Sequence, residues 1–295
     1  MNITVLSRTG RDYGSVQVSS GNTVSDLKRA VYEQLFKPNK MGHLVPNRHR
    51  YTLSNEKGAA ALKDDKQQLS SVSFDLKNPV VYFKDLGMQI SYKLVFVVEY
   101  TGPILLWLAL ALSTSLNQIQ YIATVLWVLH FVKRVLETLF VHRFSHATMP
   151  VWPNLFKNCT HYWGAGMYVG FFVITMPSIT VVNELQLWTG IVIFCIGEYI
   201  NGHAHITLKN LRKPGTTTRS IPRGFMFEYV TCANYFGEIM TWFGFLIVTI
   251  HPSVLFFLVL SAGQMYIWAK QKHNKLIAMF PDYPKHRKIL IPFVI

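Results

Sequence analysis

The stretch YKLVFVVEYTGPILLWLALALS, residues 92–113, decides the class of fold that this chain can adopt. It supplies about the 20 predominantly apolar residues that an α-helix needs to cross the hydrocarbon core of a bilayer. Further apolar stretches follow, each bounded by polar or proline-containing segments, at residues 119–141, 162–182, 185–200, roughly 225–250, and 254–269. The sequence therefore predicts an all-α membrane bundle of about six or seven transmembrane helices, in which 225–250 forms either one long helix or a re-entrant piece plus a helix.

The composition of the whole chain excludes an ordinary soluble domain. Half of its 295 residues are hydrophobic and only 15% are charged, whereas soluble globular chains carry roughly 25% charged residues. The net charge is +14, but 20 Phe, 14 Tyr and 7 Trp do not suit a basic chain that is disordered or binds nucleic acid. We expect membrane lipid, and no nucleic acid, among the partners of this protein.

The basic residues cluster in three segments, residues 133–157, 209–223 and 270–288. If these segments share one side of the membrane, the positive-inside rule makes that side the cytosol. We therefore expect a multi-pass protein whose N-terminal domain and C-terminus are cytosolic. The N-terminus lacks the apolar core of a cleaved signal peptide, so we expect an internal hydrophobic segment to target the chain.

Residues 1–88 have the pattern of a soluble α+β domain. Alternating apolar residues predict two strands around Ile3 and Val16, and capping residues at 22–26 precede a helical i, i+3, i+4 pattern that begins at Leu27. Short strands follow at 50–53 and 80–83. The order strand, strand, helix, strand, strand resembles a ubiquitin-like fold. Because no constellation of chemical groups lies here, we expect an interaction or packing module.

Charged residues inside the predicted spans indicate where a functional site lies. A charge at the centre of a membrane helix costs about 2.5 to 3.5 kcal/mol, so each needs a partner or a purpose. Glu99 lies in the first span, and the second span carries His130, Lys133, Arg134 and Glu137 along one helical stripe. Standing alone, the two cations would be explained by snorkelling or by phospholipid binding.

Two later segments add polar groups to this set. Asn201, His205 and Arg212 follow one span and offer amide, imidazole and guanidinium groups to an anion. In the segment 231–238, Asn234, Tyr235 and Glu238 lie within five consecutive positions and predict a hydrogen-bonding pocket wall with a proton donor. A basic tail that contains His273 is suited to a polyanionic ligand and equally to a solvated membrane surface.

The histidines and cysteines do not predict a metal site. His203 and His205 are two positions apart and point to different faces of a helix, and no HEXXH motif is present. His142 and His146 form one HXXXH pair without the HXXHH motifs that a di-iron oxygenase would need. The three cysteines have no CxxC spacing, so they support neither a zinc site nor a disulfide framework.

Several short segments along the chain carry a resemblance to a known protein family. They are KDLG (84–87), EYTGP (99–103), LETLFVHRFSH (136–146), WAK (268–270) and IPF (291–293). With them the chain resembles the trans-2,3-enoyl-CoA reductases of very-long-chain fatty acid elongation. The C-terminal half, with IPRG (221–224), ANYFGE (233–238) and DYPK (282–285), also resembles the steroid 5α-reductases, which share one membrane fold with the first family.

This resemblance implies both a domain organisation and an activity. It implies a ubiquitin-like domain at 1–88 and a membrane-embedded, steroid 5α-reductase-like domain at 89–295. The implied activity is the NADPH-dependent reduction of a long-chain trans-2-enoyl-CoA to the saturated acyl-CoA, the last step of elongation, in the endoplasmic reticulum membrane. Other fatty acid elongation enzymes are expected as partners. No GxGxxG motif is present, so no Rossmann site is expected for the cofactor.

The resemblance also assigns roles to individual residues. Tyr235 matches the proton donor of the enoyl-CoA branch, Glu99 matches a carboxyl group near the substrate carbonyl, and Lys133 is a candidate for the cation that assists the donor. The matches to cofactor-binding positions are Arg134, Asn201, His205, Arg212, Asn234, Glu238 and His273. Hydride delivered to the β-carbon leaves an enolate, which a positioned acid must protonate while neighbouring groups hold its charge.

Three departures from the family pattern bear on the choice of substrate. Phe131 stands where many members have a Tyr, Leu276 replaces a common Tyr, and His205 stands where the steroid branch often has Asp. These departures weaken a steroid assignment more than an enoyl-CoA one. The alternatives are a 3-oxo-5α-steroid 4-dehydrogenase or a polyprenol reductase and, in a different class, a non-catalytic membrane adaptor.

Overall fold

The computed structural model describes residues 1–56, 59–75, 78–144, 147–178, 181–211 and 220–295, and the chain divides into two compact units. The first unit comprises Met1–Ser91 with Thr148–Asn154. The second comprises Tyr92–Ala147 with Leu155–Ile295. The first unit therefore takes in a short segment that follows the first two long helices in the sequence.

A four-stranded sheet forms the frame of the first unit. Its strands, in chain order, are β1 (Asn2–Ser7), β2 (Asp12–Gln17), β3 (His49–Thr52) and β4 (Val80–Asp85). Their order in the sheet is β2-β1-β4-β3, with β1 antiparallel to β2 and parallel to β4, and β3 antiparallel to β4. A separate antiparallel ribbon joins β5 (Gln89–Ser91) to β6 (Thr148–Pro150).

The helix of the first unit, α1 (Val24–Val31), begins where the capping residues predict it. The Thr23 side chain accepts a hydrogen bond from the Asp26 backbone N–H, and the Asp26 carboxylate accepts one from the Thr23 N–H. This capping box satisfies two donors that a helix start leaves free. The helix buries Leu27 and Val31 and continues as a π-helical turn, Tyr32–Phe36. Two 3₁₀ turns, Pro46–Arg48 and Leu69–Ser71, follow.

Six long helices make up most of the rest of the described chain. They are α2 (Tyr92–Leu112), α3 (Gln118–Leu136), α4 (Val151–Thr175), α5 (Glu184–Leu211), α6 (Ala233–Thr249) and α7 (Pro252–Met279). A π-helical turn, Glu137–Val141, extends α3, and α4 is kinked at Trp152. The apolar stretch 225–250 contains a 3₁₀ turn, Phe225–Glu228, ahead of α6, so it is not one long helix.

Two helices in the described ranges have the length and composition to cross a membrane. These helices are α2 and α7. The mostly helical architecture agrees with the predicted fold class, whereas the number of spans, about six or seven, stays a prediction.

The core of the second unit is aromatic. The indoles of Trp107 and Trp127 stack with their centroids 4.4 Å apart, and Trp242 lies 5.3 Å from Trp127. Phe131 and Phe245 pack against this group and are almost completely buried. Such side chains bury large areas and hold preferred ring geometries, so they fix how α2, α3 and α6 face one another.

Helices α5 and α6 meet backbone to backbone through paired glycines. A Cβ atom at Gly197 would lie 2.3 Å from the Thr241 backbone nitrogen, and one at Gly237 would lie 2.5 Å from the Asn201 nitrogen. Seven residues away on each helix, Gly190 and Gly244 face each other in the same manner. Only glycine allows so close an approach. This approach brings residues next to Gly237 within reach of the polar residues of α5.

Candidate active site

Lys133 occupies the centre of a buried polar network between α3 and α5. Its Nζ donates a hydrogen bond of 2.6 Å to Asn201 Oδ1 and lies 2.8 Å from Glu198 Oε2. Glu137, the first residue of the π-helical turn that extends α3, places Oε1 3.3 Å from the same ammonium. The i, i+4 spacing on α3 and the position of Asn201 on α5 thus give one cation three partners.

Arg134, the neighbour of Lys133, connects α2 with α3 and α5. Its Nη1 donates to Glu137 Oε2 at 2.8 Å, and its Nη2 donates to the Tyr100 hydroxyl at 2.9 Å. The guanidinium also lies over the Tyr100 ring, 4.9 Å from its centroid. His205 Nδ1 lies 3.0 Å from Glu137 Oε2. Glu137 is therefore shared between a guanidinium, an ammonium and an imidazole.

A third part of the network joins α3 and α5 to α6. His130 Nδ1 donates to Glu198 Oε1 at 2.5 Å, and its Nε2 lies 3.3 Å from Glu238 Oε1. The Asn201 side-chain amide donates to Glu238 Oε2 and to the Asn234 carbonyl, both at 2.9 Å. The glycine contact between α5 and α6 is what makes these two bonds possible, since Gly237 precedes Glu238 and abuts Asn201.

The network brings three carboxylates, two permanent cations and two imidazoles into the interior of the unit. The carboxylates belong to Glu137, Glu198 and Glu238, and Glu137 and Glu238 are buried. Replacing buried ion pairs by apolar residues of similar size is often neutral or stabilising. A contribution to folding stability is therefore a weak explanation for this network. Buried charges with specific partners are characteristic of functional sites. The arrangement can hold a polar ligand and stabilise developing charge.

Glu99 lies apart from this network in the hydrogen-bond pattern. Its carboxylate is buried on α2. Its Oε2 has no hydrogen-bond partner among the described residues. An acceptor without a partner in a buried position is an open place for a donor on a ligand.

Tyr235 is one residue beyond Asn234 on α6, but its hydroxyl contacts a different helix. The phenol oxygen accepts a 2.7 Å hydrogen bond from Lys272 Nζ on α7. His273, the next residue on α7, contacts Thr231 with an Nδ1 to Oγ1 distance of 2.5 Å. The structure therefore joins Lys133, Arg134, Asn201, His205, Asn234 and Glu238, and it places Tyr235 and His273 in a neighbouring cluster. Arg212 lies outside the described residues.

Three side chains in the described ranges have the spacing of a metal site. Ligand atoms of Glu137, His142 and His205 lie within 4.8 Å of one another. However, Arg134 Nη1 is 2.8 Å from Glu137 Oε2 and 3.3 Å from His205 Nδ1. The guanidinium therefore already contacts the candidate ligand atoms of Glu137 and His205. A metal ion there would face that positive charge at close range. The absence of a metal cofactor stays a prediction.

Three functional contacts could not be assigned from the sequence: Tyr100 to Arg134, Glu198 to Lys133, and Lys272 to Tyr235. Glu198, Asn201 and His205 are three and four positions apart, which indicates that Glu198 lies on the same face of α5 as the other two. Tyr100 and Lys272 carry no such signal, because their partners lie on other helices.

Comparison with known proteins gives this arrangement a class. Residues 147–295 match the family described as 3-oxo-5-alpha-steroid 4-dehydrogenase. A 3-oxo-5-alpha-steroid 4-dehydrogenase of Rattus norvegicus is 46% identical over 107 residues, which cover 36% of this chain and 41% of that protein. The second unit is thus a membrane-associated, mostly helical reductase domain, and enzymes of these families use a nicotinamide cofactor.

Relatives that match nearly the full chain narrow the class. A very-long-chain enoyl-CoA reductase of Dictyostelium discoideum is 40% identical over 99% of this chain and 98% of its own length. A Caenorhabditis elegans protein, described as a probable very-long-chain enoyl-CoA reductase, is 34% identical over 94% of this chain and 93% of its own length. The chain belongs to the trans-2,3-enoyl-CoA reductase family of the steroid 5α-reductase superfamily. The predicted family and the predicted class, an oxidoreductase acting on CH–CH bonds, are confirmed.

Proposed function

We propose that this chain reduces a very-long-chain trans-2-enoyl-CoA to the saturated acyl-CoA with NADPH, the last step of very-long-chain fatty acid elongation. The observation that carries this proposal is the buried network around Lys133 and Arg134 beside Tyr235, in a chain that aligns over its length with enoyl-CoA reductases. Such a network combines groups that bind anions with groups that stabilise charge.

The donor set of the network fits a dinucleotide cofactor. Amide groups of Asn201 and Asn234 and the carboxylate of Glu238 suit a carboxamide, and the guanidinium of Arg134 suits a phosphate. His205 and His273 add imidazole groups, and Arg212 completes the proposed cofactor set. NADPH would supply the hydride, which no side chain can provide. The preference for NADPH over NADH rests on the family resemblance.

The remaining residues of the proposed site act on the substrate. Hydride arriving at the β-carbon leaves negative charge on the thioester enolate, and the Tyr235 hydroxyl protonates its α-carbon. Lys133, held by Asn201, Glu198 and Glu137, keeps a positive charge in a fixed position inside the unit, where it stabilises that enolate without reorganising. Glu99, which the family resemblance places near the substrate carbonyl, has an unpartnered Oε2 and would donate to that carbonyl as the protonated acid.

The proposal extends to location and partners. The cytosol is the proposed side of the N-terminal unit and the C-terminus, and the endoplasmic reticulum is the proposed membrane, crossed several times. The sheet order β2-β1-β4-β3, with β1 parallel to β4 and one helix after the first hairpin, supports a ubiquitin-like assignment for the N-terminal domain at 1–88. Such a module suits docking to other elongation enzymes.

Tyr235→Phe tests the proposed chemistry. We expect turnover of a long trans-2-enoyl-CoA to fall by about 100-fold or more, because general acid catalysis contributes roughly that factor. NADPH binding should persist, since the variant removes one hydroxyl outside the proposed cofactor contacts. Measured cofactor affinity and single-turnover product formation separate the two effects. Normal turnover in this variant would contradict the role of Tyr235.

The choice of substrate has its own test. Purified protein should reduce the enoyl-CoA and leave a 3-oxo-Δ4 steroid or a polyprenol unchanged under the same conditions. Preferential reduction of the steroid would replace the proposal by the steroid reductase alternative. No reduction of any of them, with intact NADPH binding, would favour a non-catalytic adaptor.

A further inference from the structure

We propose that Lys272 is the positioning residue of Tyr235 and the route by which its proton is replaced after each turnover. This inference rests on the proposed function, because it concerns the acid that protonates the substrate. It arises from a contact that the family resemblance does not assign. The ammonium of Lys272 on α7 donates its 2.7 Å hydrogen bond to the phenol oxygen of Tyr235 on α6.

The phenol ring of Tyr235 contacts two side chains of α7. Lys272 Nζ lies 4.3 Å from the centroid of the Tyr235 ring, so the ammonium contacts the ring face as well as the oxygen. Trp268, one turn earlier on α7, places its ring centroid 6.3 Å from that of Tyr235. Tyr235 also packs against the cluster that contains the buried Cys232 and Ala269. Rotation of the tyrosine side chain is therefore restricted.

The direction of the hydrogen bond frees the phenol proton for donation. An ammonium has three donors and no acceptor, so Tyr235 can only accept from Lys272. In the described part of the chain, no acceptor receives the hydroxyl hydrogen of Tyr235. That hydrogen is available to a substrate atom while the oxygen stays anchored.

The positive charge of Lys272 suits the phenolate that the reaction leaves at Tyr235. When the α-carbon of the enolate takes the Tyr235 proton, the O–H bond breaks, a C–H bond forms and a phenolate remains. The phenolate then takes a proton from the Lys272 ammonium, and the resulting amine takes one from water. Lys272 is exposed, so its exchange with solvent requires no channel. Charge-assisted hydrogen bonds are roughly twice as strong as neutral ones, which favours the phenolate at this position.

Lys133 is less suited to this task. Its ammonium is shared among Asn201, Glu198 and Glu137. Lys272, in contrast, has no carboxylate partner among the described residues, and its one hydrogen bond to a described side chain goes to Tyr235. No carboxylate among the described residues offsets the charge of Lys272, whereas Glu137 and Glu198 both contact Lys133.

The first experiment compares Lys272→Met and Lys272→Arg with the control Lys275→Met, an exposed lysine on the same helix. We expect Lys272→Met to lower kcat for the enoyl-CoA by about 10- to 100-fold, within the range of acid–base effects, with KM for both substrates within about twofold. Lys272→Arg should restore only part of the activity, because a guanidinium anchors the phenol oxygen but does not give up a proton to the phenolate. Equal thermal stability of the variants would exclude a packing effect. An unchanged kcat in Lys272→Met, or an equal loss in Lys275→Met, overturns the proposal.

Amine rescue supplies a sharper readout. Lys272→Ala opens space beside the phenol, and added propylamine should restore kcat in proportion to its concentration of ammonium ion. The same amine should not raise the activity of the wild type or of Tyr235→Phe. Fluorine NMR of protein labelled with 3-fluorotyrosine should show the position 235 resonance shifting in Lys272→Met without any substrate bound. Absence of both rescue and shift overturns the proposal.

A double-mutant cycle separates this inference from the proposed function. In a Tyr235→Phe background, Lys272→Met should cause little further loss, because Lys272 acts through the missing hydroxyl. An independent further loss means that Lys272 acts elsewhere, and the inference fails. If Tyr235→Phe keeps normal turnover while Lys272→Met loses it, the inference and the assigned donor fail together. If the protein reduces no enoyl-CoA, the proposed function is wrong. The fluorine shift then still shows whether Lys272 contacts Tyr235.

Discussion

The two units bury polar groups in opposite ways. In the described part of the first unit the buried polar residues are His49 and Thr52, which are neutral and bond to residues at most five positions away. The second unit buries charged groups whose partners lie far along the chain: the Glu238 carboxylate accepts from Asn201, 37 positions away, and the Glu137 carboxylate lies 3.0 Å from His205, 68 positions away. Local neutral bonds complete a fold, whereas long-range charged ones need several helices to assemble first. This contrast distinguishes the first unit, a packing module, from the second unit, which holds the candidate active site.

The largest effect that we expect comes from Arg134→Ala. Removal of the guanidinium takes the 2.8 Å partner from the buried Glu137 carboxylate and leaves it with Lys133 and His205. Breaking a buried pair costs up to about 3 to 5 kcal/mol, and the two remaining partners place the expected loss near the lower end of that range. NADPH affinity should fall as well, because a charged contact is lost. Thermal unfolding and cofactor titration on the same purified variant measure the two consequences.

Two companion variants make the Arg134 prediction decisive. Arg134→Ala with Glu137→Ala should recover part of the lost stability, because the carboxylate that lost its guanidinium partner is gone. Arg48→Ala removes the pair with Asp85 in the first unit, where the carboxylate side chain is 36% exposed, and should cost less than about 1 kcal/mol. Equal losses for Arg48 and Arg134 would erase the distinction between the units.

A somewhat smaller effect is expected from pH in the first unit. Burial lowers the pKa of His49 to about 4, and the ring is neutral, with Nε2–H donating to the Leu44 carbonyl and Nδ1 accepting from the Tyr51 hydroxyl. Between the ordinary pKa near 6.5 and about 4, the unfolded chain binds a proton that the folded chain does not. Stability should therefore fall as the pH drops through that window, by roughly 3 kcal/mol in total.

Hydrogen exchange of the β3 and β4 amides in the full-length protein measures this loss. His49→Phe removes the titrating ring and should flatten the pH dependence between 6.5 and 4. The Asp85 carboxyl, whose pKa Arg48 lowers by hydrogen bonding, acts at more acidic pH and does not obscure the result. A pH dependence that survives in His49→Phe would contradict the role of the buried imidazole.

The smallest of the three effects is expected from Gly237→Ala. The new Cβ would meet the Asn201 backbone nitrogen at 2.5 Å, so α5 and α6 must separate. Overpacking costs about 1 to 3 kcal/mol, partly offset by the higher helix propensity of alanine. Gly263→Ala on α7 is the matched control, because nothing lies within 4 Å of its added Cβ. Chemical denaturation should show a loss only at position 237.

Sequence patterns predicted where helices and strands lie better than they predicted which side chains contact one another. The capping residues at 22–26 placed the start of α1, since a capping box is a local interaction. The polar stripe on α3 was visible because helical periodicity is local too. In the stretch 225–250, however, the 3₁₀ turn begins at Phe225, whose φ is 48°, and the non-helical Cys232 lies between that turn and α6. No residue type there predicts the break.

The partners of the site residues were beyond sequence reasoning for a physical reason. Periodicity tells which side chains share a face of one helix, but the rotation of that helix against its neighbours depends on packing. The pairing of Gly197 and Gly237 sets that rotation for α5 and α6, and the meeting of Asn201 with Glu238 follows from it. Tyr235 and Lys272 meet for the same kind of reason, through the packing of α6 on α7.

The tryptophan group of the second unit gives the protein an optical signal of its own. Trp127 and Trp242 belong to one aromatic cluster, and the Trp242 indole N–H also donates to Glu238 Oε1 at 3.3 Å. Indole emission is sensitive to the charge and hydrogen bonding around the ring. A change in protonation or occupancy at Glu238 is therefore transmitted to a fluorophore that is already in place, and ligand binding can be followed by intrinsic fluorescence without any label.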